Sequence, residues 1–461
     1  RGAARSARHR RRALDAEALA LRGRAAGDRR MRTAAASLAL CAVLTASPAL
    51  QAAEAVARTE LATLIEDVMP QVVAWRRDIH AHPELGNREF RTAALVAEHL
   101  EGLGMDVETN VAHTGVVGVL RGGRPGPVVG LRADMDALPV AEQVDLPFAS
   151  KVRTDYDGRE VGVMHACGHD NHVAILMGVA EVLAAVREDL PGTVKFIFQP
   201  AEEGPPAGED GGAALMVEEG VLSDPQVDAV FGLHVFPFPV GTVGYRSGGL
   251  MASADSFSIT VKGRQTHGAV PWGGIDPIVV ASQIVLGLQT IPSRQLDATL
   301  TPSIVTVGAI HGGVRSNIIP EEVEMIGTLR TFDRDTRTQI HERLTRTATR
   351  IADAAGATAE VRIDLGTGVT YNDPELTRRM LPTLRDVAGD GAIEVPRTTT
   401  AEDFSVFQEN VPGLFVFLGV APDDPQLVHP NHSPRFYADE RALPLGVEVI
   451  TRLAVDYLEG E

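Results

Sequence analysis

Residues 164–172 concentrate side chains that bind metal ions: one thiol, three imidazoles and one carboxylate. Cys167 and His169 stand two residues apart, so both side chains can reach one cation from a single loop. Asp170 or Asn171 can cap the helix that the following apolar residues predict. The positive end of a helix dipole lowers the pKa of a nearby thiol and favours the thiolate that a metal needs. A buried cysteine beside loop histidines that bind no metal explains this pattern equally well, so the stretch alone decides nothing.

Candidate partners for these side chains follow predicted strands further along the chain. The apolar run 194–198 predicts a buried strand, and it leads into two adjacent carboxylates, Glu202 and Glu203. Neighbouring side chains at a strand end point in different directions, so one can bind a metal while the other moves a proton. A second apolar strand ends near His234, and His432 adds an imidazole close to the C-terminus. Alone, each signal is weak, because a histidine in an apolar strand is usually a core residue and an acidic pair is usually solvated.

Ordered motifs along the chain carry a more specific signal than any single residue. They occupy residues 80–85, 130–139, 164–172, 202–203, 232–234, 266–269, 317–320, 401–404 and 432–434. In this order and spacing they resemble the two-metal aminoacylase and carboxypeptidase superfamily, from about Ala74 to the C-terminus. The branch that they resemble most is the amidohydrolases that split N-acyl amino acids, such as hippurate hydrolases and indole-acetyl-amino-acid hydrolases. In that branch a Cys-Gly-His element replaces the Asp-based ligands of the wider superfamily.

The resemblance implies five metal ligands: Cys167, His169, Glu203, His234 and His432. A single tetrahedral ion needs three or four protein ligands. Five therefore suit two adjacent divalent ions that share one protein group and a water, and the resemblance makes the thiolate the shared group. Thiolate and imidazole favour zinc, cobalt or nickel over magnesium or calcium, and manganese, which some relatives use, remains an alternative.

Five further residues receive roles from the same resemblance. Glu202 is the expected general base, which takes a proton from the attacking water and passes it to the leaving amine. Asp136 is expected to orient a metal ligand. His267 is expected to stabilise the oxyanion, often from the partner subunit in related enzymes. Asn317 and Arg330 match positions that resemble contacts to the substrate carboxylate.

Each of these roles has a plainer alternative. Glu202 fits a solvated acid beside a ligand, while Asp136 and Asn317 fit turn residues ahead of a proline. His267 fits a loop histidine among glycines and prolines, and Arg330 fits a surface cation on a strand.

Strand and helix patterns predict the scaffold for these side chains. Strands alternate with helices up to about residue 235, which is typical of an α/β domain with a largely parallel or mixed sheet that binds ligands at its carboxyl edge. Residues 251–365 follow a βαββαβ order, which predicts a ferredoxin-like insertion. The predicted fold is therefore α/β. By resemblance it is a zinc-exopeptidase-like catalytic domain, formed by residues 53–250 and 366–461, with an inserted α+β lid or dimerisation domain.

Composition excludes some classes of partner. The chain has 461 residues, 44% hydrophobic and 23% charged, which is ordinary for a globular protein of two or three domains. Its formal net charge of −18 argues against nucleic acid as a partner.

The composition of the N-terminal region predicts a targeting segment. Residues 1–30 hold ten arginines and three acidic residues and lack apolar periodicity. From Met31, a basic start, an apolar run and small residues near Ala52 follow the layout of a secretory signal peptide. We therefore predict a leader from an upstream start over 1–30, a signal peptide over 31–52 and a periplasmic or secreted protein. A basic arm is the alternative for the first thirty residues. The mature chain is expected to hold no disulfide, since a single cysteine remains, and no stable membrane span.

Together these features predict an exported two-metal amidohydrolase that cleaves N-acyl amino acids into a carboxylate and a free amino acid. A homodimer through the inserted domain fits the resemblance. A dipeptidase or carboxypeptidase of the same fold is the first alternative, and a substrate panel would separate the two. A metal- or ligand-binding protein without catalysis is the second, and Glu202 argues against it because a binder needs no base beside its ligands.

Overall fold

A computed structural model describes the backbone of residues 48–460 and the side chains of residues 59–460. The predicted leader and almost all of the predicted signal peptide lie outside the described residues. Over the described part, the α-helices are α1 (Pro48–Ala81), α2 (Phe90–Gly102), α3 (His169–Ala185), α4 (Gly212–Glu218), α5 (Pro277–Leu288), α6 (Arg334–Ala354), α7 (Pro374–Ala388), α8 (Phe404–Asn410) and α9 (Leu443–Glu459).

The strands of the catalytic part are β1 (Asp106–Val111), β2 (Gly115–Arg121), β3 (Arg124–Asp134), β4 (Arg153–Tyr156), β5 (Arg159–Gly162), β6 (Pro191–Gln199), β7 (Ala229–Pro239), β8 (Val243–Tyr245) and β9 (Gly248–Met251). The remaining strands are β10 (Asp255–Lys262), β11 (Thr266–His267), β12 (Ser303–His311), β13 (Ile318–Ile319), β14 (Glu322–Thr331), β15 (Thr358–Asp364), β16 (Thr370–Asn372), β17 (Ala392–Glu394) and β18 (Gly413–Ala421). Short helical turns lie at Arg187–Asp189, Pro271–Gly273, Ile291–Gln295, Gly389–Gly391, Pro425–Leu427 and Glu440–Ala442.

An eight-stranded mixed sheet forms the centre of the catalytic part. Its strands lie in the order β1-β2-β6-β3-β7-β18-β8-β17. The pairs β6–β3, β3–β7 and β7–β18 are parallel, so the carboxyl ends of these four strands lie at one edge. Ligands bind at such an edge in open α/β sheets.

Apolar side chains alternate between the two faces of this sheet, and helices cover both faces. On one side Val72 of α1, Leu176 of α3 and Leu453 of α9 belong to one buried cluster with strand residues such as Leu131. On the other side, the short helices α4 and α8 pack on the sheet through a cluster that includes Phe404. Burial on both faces explains why the central strands read as nearly continuous apolar runs.

The insertion contains a four-stranded antiparallel sheet, ordered β12-β14-β10-β15, with α5 and α6 packed against it. In α6, buried residues recur every four positions at Ile340, Leu344, Ala348 and Ala352, which gives the helix one apolar stripe. The chain order β10-α5-β12-β14-α6-β15 is the predicted βαββαβ unit. This confirms the predicted fold class. The domain limits at 250/251 and 365/366 stay predictions.

Two further predictions concern membrane spans and the N-terminus of α3. Every described helix falls short of the length or apolarity that a membrane span requires. The predicted capping by Asp170 or Asn171 is wrong, because α3 already begins at His169 and its N-cap residue is Gly168.

Candidate metal centre and active site

Parallel strands bring the candidate ligands to one sheet edge. The turn after β6 carries Glu202 and Glu203, and β7 itself carries His234. Cys167 lies just ahead of α3, whose first residue is His169. Because β6, β3 and β7 are neighbours, these separate stretches of chain converge at their carboxyl ends.

The turn at Gly168 decides how the thiol and the first imidazole face each other. Gly168 has φ of 93°, in the left-handed region that side chains rarely adopt. A Cβ there would lie 2.4 Å from Cγ2 of Val235 and 3.2 Å from Cε1 of Phe436. Glycine is therefore required by both the backbone conformation and the close packing.

A loop near the C-terminus supplies the last imidazole. The backbone N–H of His432 donates to the carbonyl of Ala166 at 2.8 Å. The neighbouring Asn431 amide donates to the carbonyls of Cys167 at 3.0 Å and Val235 at 3.2 Å. Sequence reasoning assigned no role to Asn431, although these bonds hold the loop of His432 against the cysteine.

Two groups of candidate ligand atoms share the cysteine. Cys167, His169 and His234 form one group, and Cys167, Glu203 and His432 form the other, with atoms within 4.8 Å of one another in each. Sγ of Cys167 lies 3.3 Å from Nε2 of His234, and Nε2 of His432 lies 2.9 Å from Oε1 of Glu203. The structure thus brings together all five residues that the resemblance implied as ligands. We call these five residues the metal group.

Two imidazoles are oriented as metal ligands require. Nδ1 of His169 bonds to Oδ1 of Asp136 at 3.2 Å, and its buried Nε2 has no hydrogen-bond partner. Nδ1 of His234 donates to the carbonyl of Val235 at 2.7 Å, so its Nε2 is directed to the thiol. A bond at one ring nitrogen fixes the tautomer and leaves the other nitrogen as a lone-pair donor. These residues therefore fit two divalent cations.

Burial and neighbouring charges shift the pKa values of Cys167 and His169. Burial, then the charges of Glu203 and Glu202, raises the pKa of the Cys167 thiol well above its ordinary value. The expected lowering by the helix end is therefore wrong for the protein alone, and a bound cation is what favours the thiolate. Burial lowers the pKa of an imidazole, but Asp134 and Asp136 outweigh it and raise the pKa of His169 to about 10.

Comparison with known proteins places the chain in a family. The sequence model of Peptidase family M20/M25/M40 matches residues 130–456, which contain all five candidate ligands. The chain belongs to this family.

Relatives within and near this family are similar over most of their length. Thermostable carboxypeptidase 1 of Saccharolobus solfataricus is 41% identical over 85% of this chain and 97% of its own. N-acetylcysteine deacetylase of Bacillus subtilis is 38% identical over 84% of this chain and 97% of its own. The crystal structure of the B. subtilis YXEP protein, a dinuclear metal binding peptidase from the M20 family, is 36% identical and superposes with a TM-score of 0.71. It covers 86% of this chain and 99% of its own. The chain is therefore a hydrolase of the M20 family.

Glu202 lies beside the candidate metal ligands. Its Oε2 is 3.9 Å from Nε2 of His169, and its other oxygen accepts the backbone N–H of Asp403 at 3.4 Å. Burial, then the charges of Glu402 and Glu203, raises the pKa of the Glu202 carboxyl well above its ordinary range. Its position at the metal group and its neighbourhood suit a group that accepts a proton.

Asp136 touches two candidate ligands at once. One oxygen bonds to His169, and the other accepts the backbone N–H of Glu203 at 2.9 Å. These bonds are the contacts expected of a residue that orients metal ligands, and the role of Asp136 stays a prediction.

A buried ionic network lies at the carboxyl edge of the central sheet, and sequence reasoning missed it. Arg132, at the end of β3, donates to Asp134 at 2.6 Å and to Glu402 and Asp403 at 2.9 Å each. Asp134 in turn bonds to Nδ1 of His172 at 2.5 Å. Charged residues at the end of an apolar strand, as in residues 130–139, are the sequence signal that could have found it.

The inserted domain carries the remaining predicted residues. His267 and Asn317 are exposed neighbours, because β11 pairs with β13 and the N–H of Gly268 donates to the Asn317 carbonyl at 2.8 Å. Arg330 lies on β14 and donates to Thr328 and to a backbone carbonyl of its own strand. Within the described residues, none of these contacts reaches the metal group. Their roles stay predictions.

Proposed function

We propose that this M20 enzyme hydrolyses the amide bond of N-acyl amino acids to a carboxylate and a free amino acid. The observation that carries the proposal is the Glu202 carboxylate beside two ligand groups that share Cys167. Similarity to N-acetylcysteine deacetylase supports an acylated amino acid as the substrate.

Cys167, His169 and His234 would hold one divalent cation, and Cys167, Glu203 and His432 the other. We propose zinc, cobalt or nickel, since the sites combine thiolate with imidazole, and manganese remains an alternative. Two bound cations would activate water and polarise the scissile carbonyl.

The protein groups handle the protons. Glu202 takes a proton from the attacking water and donates it to the leaving amine as the amide bond breaks. Asp136 holds the His169 ring and the Glu203 backbone in position while this occurs. We assign oxyanion stabilisation to His267 of the inserted domain, and recognition of the substrate carboxylate to Asn317 and Arg330.

A peptidase is the second candidate, favoured by the similarity to thermostable carboxypeptidase 1. Both substrate classes present an amide next to a free carboxylate, so the metal group alone does not separate them. Turnover of N-acetyl and N-benzoyl amino acids should be compared with turnover of dipeptides carrying the same C-terminal residue. The assay uses purified protein with two bound metals. Faster cleavage of the acylated amino acids supports the first function, and faster cleavage of the dipeptides supports the second.

We further propose a homodimer through the inserted domain. Its exposed surface bears several large apolar side chains, and where such side chains form a contiguous patch they mark an interface. They include Trp272, Ile278, Val279, Leu286, Leu300 and Val314. Export to the periplasm or the medium, through the predicted signal peptide, is part of the same proposal. Sizing of the purified protein and mapping of its mature N-terminus test these two points.

A further inference from the structure

A cavity of about 540 Å³ is lined in part by Asp136 and by the candidate ligand Glu203, so it adjoins the candidate metal centre. Its walls come from residues 83–90, residues 137–139, the β4–β5 hairpin and the turn at Gly204. We call it the hairpin pocket. Its volume falls within the usual range for small-molecule sites, roughly 300–1,000 Å³.

Two aromatic rings expose much of their surface on these walls. Phe90 is 63% exposed and Tyr156 is 42% exposed, although both are large side chains that proteins usually cover. Leu85 and Leu138 line the same cavity and are half-buried. A ligand group that fills the pocket would therefore cover apolar surface close to the reacting centre.

The charges on the walls decide which part of a substrate can enter. Both arginines are already paired: Arg88 with Glu209 at 2.5 Å and Arg153 with Glu160 at 3.2 Å. Apart from Asp136 and Glu203, which belong to the candidate metal centre, the lining holds three carboxylates, Glu84, Asp155 and Asp157. This excess of negative charge repels the free carboxylate of the amino-acid half. The uncharged acyl half carries no such penalty.

We infer that the hairpin pocket binds the acyl group and selects bulky, uncharged, apolar acyl chains, such as benzoyl, over acetyl. The inference rests on the proposed function and deepens it. A scissile carbonyl held at Glu202 and Glu203 places its acyl side chain beside the hairpin pocket, because Glu203 belongs both to the candidate metal centre and to the pocket lining. Phe90 and Tyr156 are then specificity residues that contact the acyl group.

The test compares N-benzoyl and N-acetyl derivatives of one amino acid. The wild-type enzyme should show at least a tenfold higher kcat/KM for the benzoyl substrate. The variant Phe90→Ala/Tyr156→Ala should lose about tenfold on that substrate and change less than threefold on the acetyl one. A tenfold loss in kcat/KM corresponds to about 1.4 kcal/mol of lost binding in the transition state. Tyr156→Phe keeps the ring and should retain the preference.

Ile393→Ala is the matched control, because Ile393 is 42% exposed and lies on edge strand β17 away from the pocket. It should leave both rates unchanged. Thermal unfolding of each variant checks that the fold is kept, which is expected because neither side chain is buried in the core. Equal losses on both substrates, or no wild-type preference for benzoyl, would overturn the inference.

Binding of the acid products separates this inference from the proposed function. Calorimetry on metal-loaded protein should find benzoate bound at least tenfold more tightly than acetate, with the difference lost in the double variant. If acylated amino acids are not cleaved but this binding pattern holds, the proposed function fails and the pocket assignment stands. If they are cleaved but benzoate and acetate bind alike, the pocket assignment fails alone.

Discussion

Replacing Gly168 by alanine inserts a methyl group at the tightest point of the metal-binding loop. Its backbone has φ of 93°, and an L-residue in the left-handed region is destabilised by about 1–2 kcal/mol. The new Cβ would also lie 2.4 Å from a Val235 methyl carbon inside the core, and such overpacking costs about 1–3 kcal/mol. We therefore expect Gly168→Ala to lower the free energy of unfolding by about 2–5 kcal/mol in total.

Gly220 provides a matched control for the two contributions. Its φ is 92°, and a Cβ there meets no heavy atom within 4 Å. Gly220→Ala should therefore show only the backbone contribution of about 1–2 kcal/mol. The difference between the two variants isolates the packing contribution.

Urea unfolding of metal-free protein measures both variants against wild type, and metal titration follows on the folded proteins. We expect relief of the clash to displace the loop and shift Cys167 or His169. Metal affinity should therefore fall at least about tenfold in Gly168→Ala, as it does when ligand orientation is disturbed. Gly220→Ala should bind metal normally. If Gly168→Ala is as stable as Gly220→Ala and binds both metals with wild-type affinity, then the loop tolerates a side chain and our account of it is wrong.

Four further changes test individual residues. Glu202→Gln should keep the fold and both metals but lower kcat by about 10²–10⁴-fold, and near-normal turnover of metal-loaded variant would remove Glu202 from the mechanism. Cys167→Ser should weaken metal binding, since a hydroxyl is a poorer ligand than a thiolate, and titration showing unchanged stoichiometry and affinity would contradict the ligand assignment. Mixing His267→Ala with Glu202→Gln subunits should restore some activity if His267 acts across the dimer, and lack of rescue despite proven subunit exchange would exclude action in trans. Burial opposes ionisation of Asp255, but bonds from Arg337 outweigh it and lower the pKa of this carboxyl. Its ionised form therefore stabilises the fold above its ordinary pKa of about 4, and this stabilisation is lost as pH falls through the lowered value. Wild type should consequently lose more stability than Asp255→Asn between pH 5 and pH 3 in urea unfolding, and equal losses would contradict this reading.

The family resemblance implied the set of five candidate ligands, and the apolar strand patterns predicted that two of them, Glu203 and His234, would lie close together. Glu203 comes just after β6 and His234 lies in β7, and parallel neighbours present such residues at one edge. Likewise, the periodicity of residues 251–365 predicted the inserted sheet and its two helices. Local patterns of this kind predict where strands and helices lie. The order of the strands in the sheet then determines which strand ends meet.

Local patterns did not predict where α3 begins. Asp170 and Asn171 are favoured helix caps in general. Here, however, Asp170 is buried, forms an ion pair with Arg76 at 2.9 Å and hydrogen-bonds to His80 at 2.8 Å. Those partners lie about ninety residues away in α1, so no local signal announces them. Tertiary pairing of Asp170 and the left-handed turn at Gly168 together override the capping preference.

The balance of charge at the sheet edge explains why this site suits cations. Arg132 is the buried cation of the ionic network, and it faces three carboxylates of that network directly. The same edge also holds the carboxylates of Asp136, Glu202 and Glu203. Arg132 and a protonated His169 do not balance these carboxylates. Burial is the main cause that raises the pKa of Glu402 to about 7 and of Asp403 to about 6. Two divalent cations bound at the shared cysteine would supply the missing positive charge and favour the ionised forms. The acidic network and the ligand set are therefore parts of one electrostatic arrangement, and removing a carboxylate from the network should weaken metal binding even though it contacts no metal.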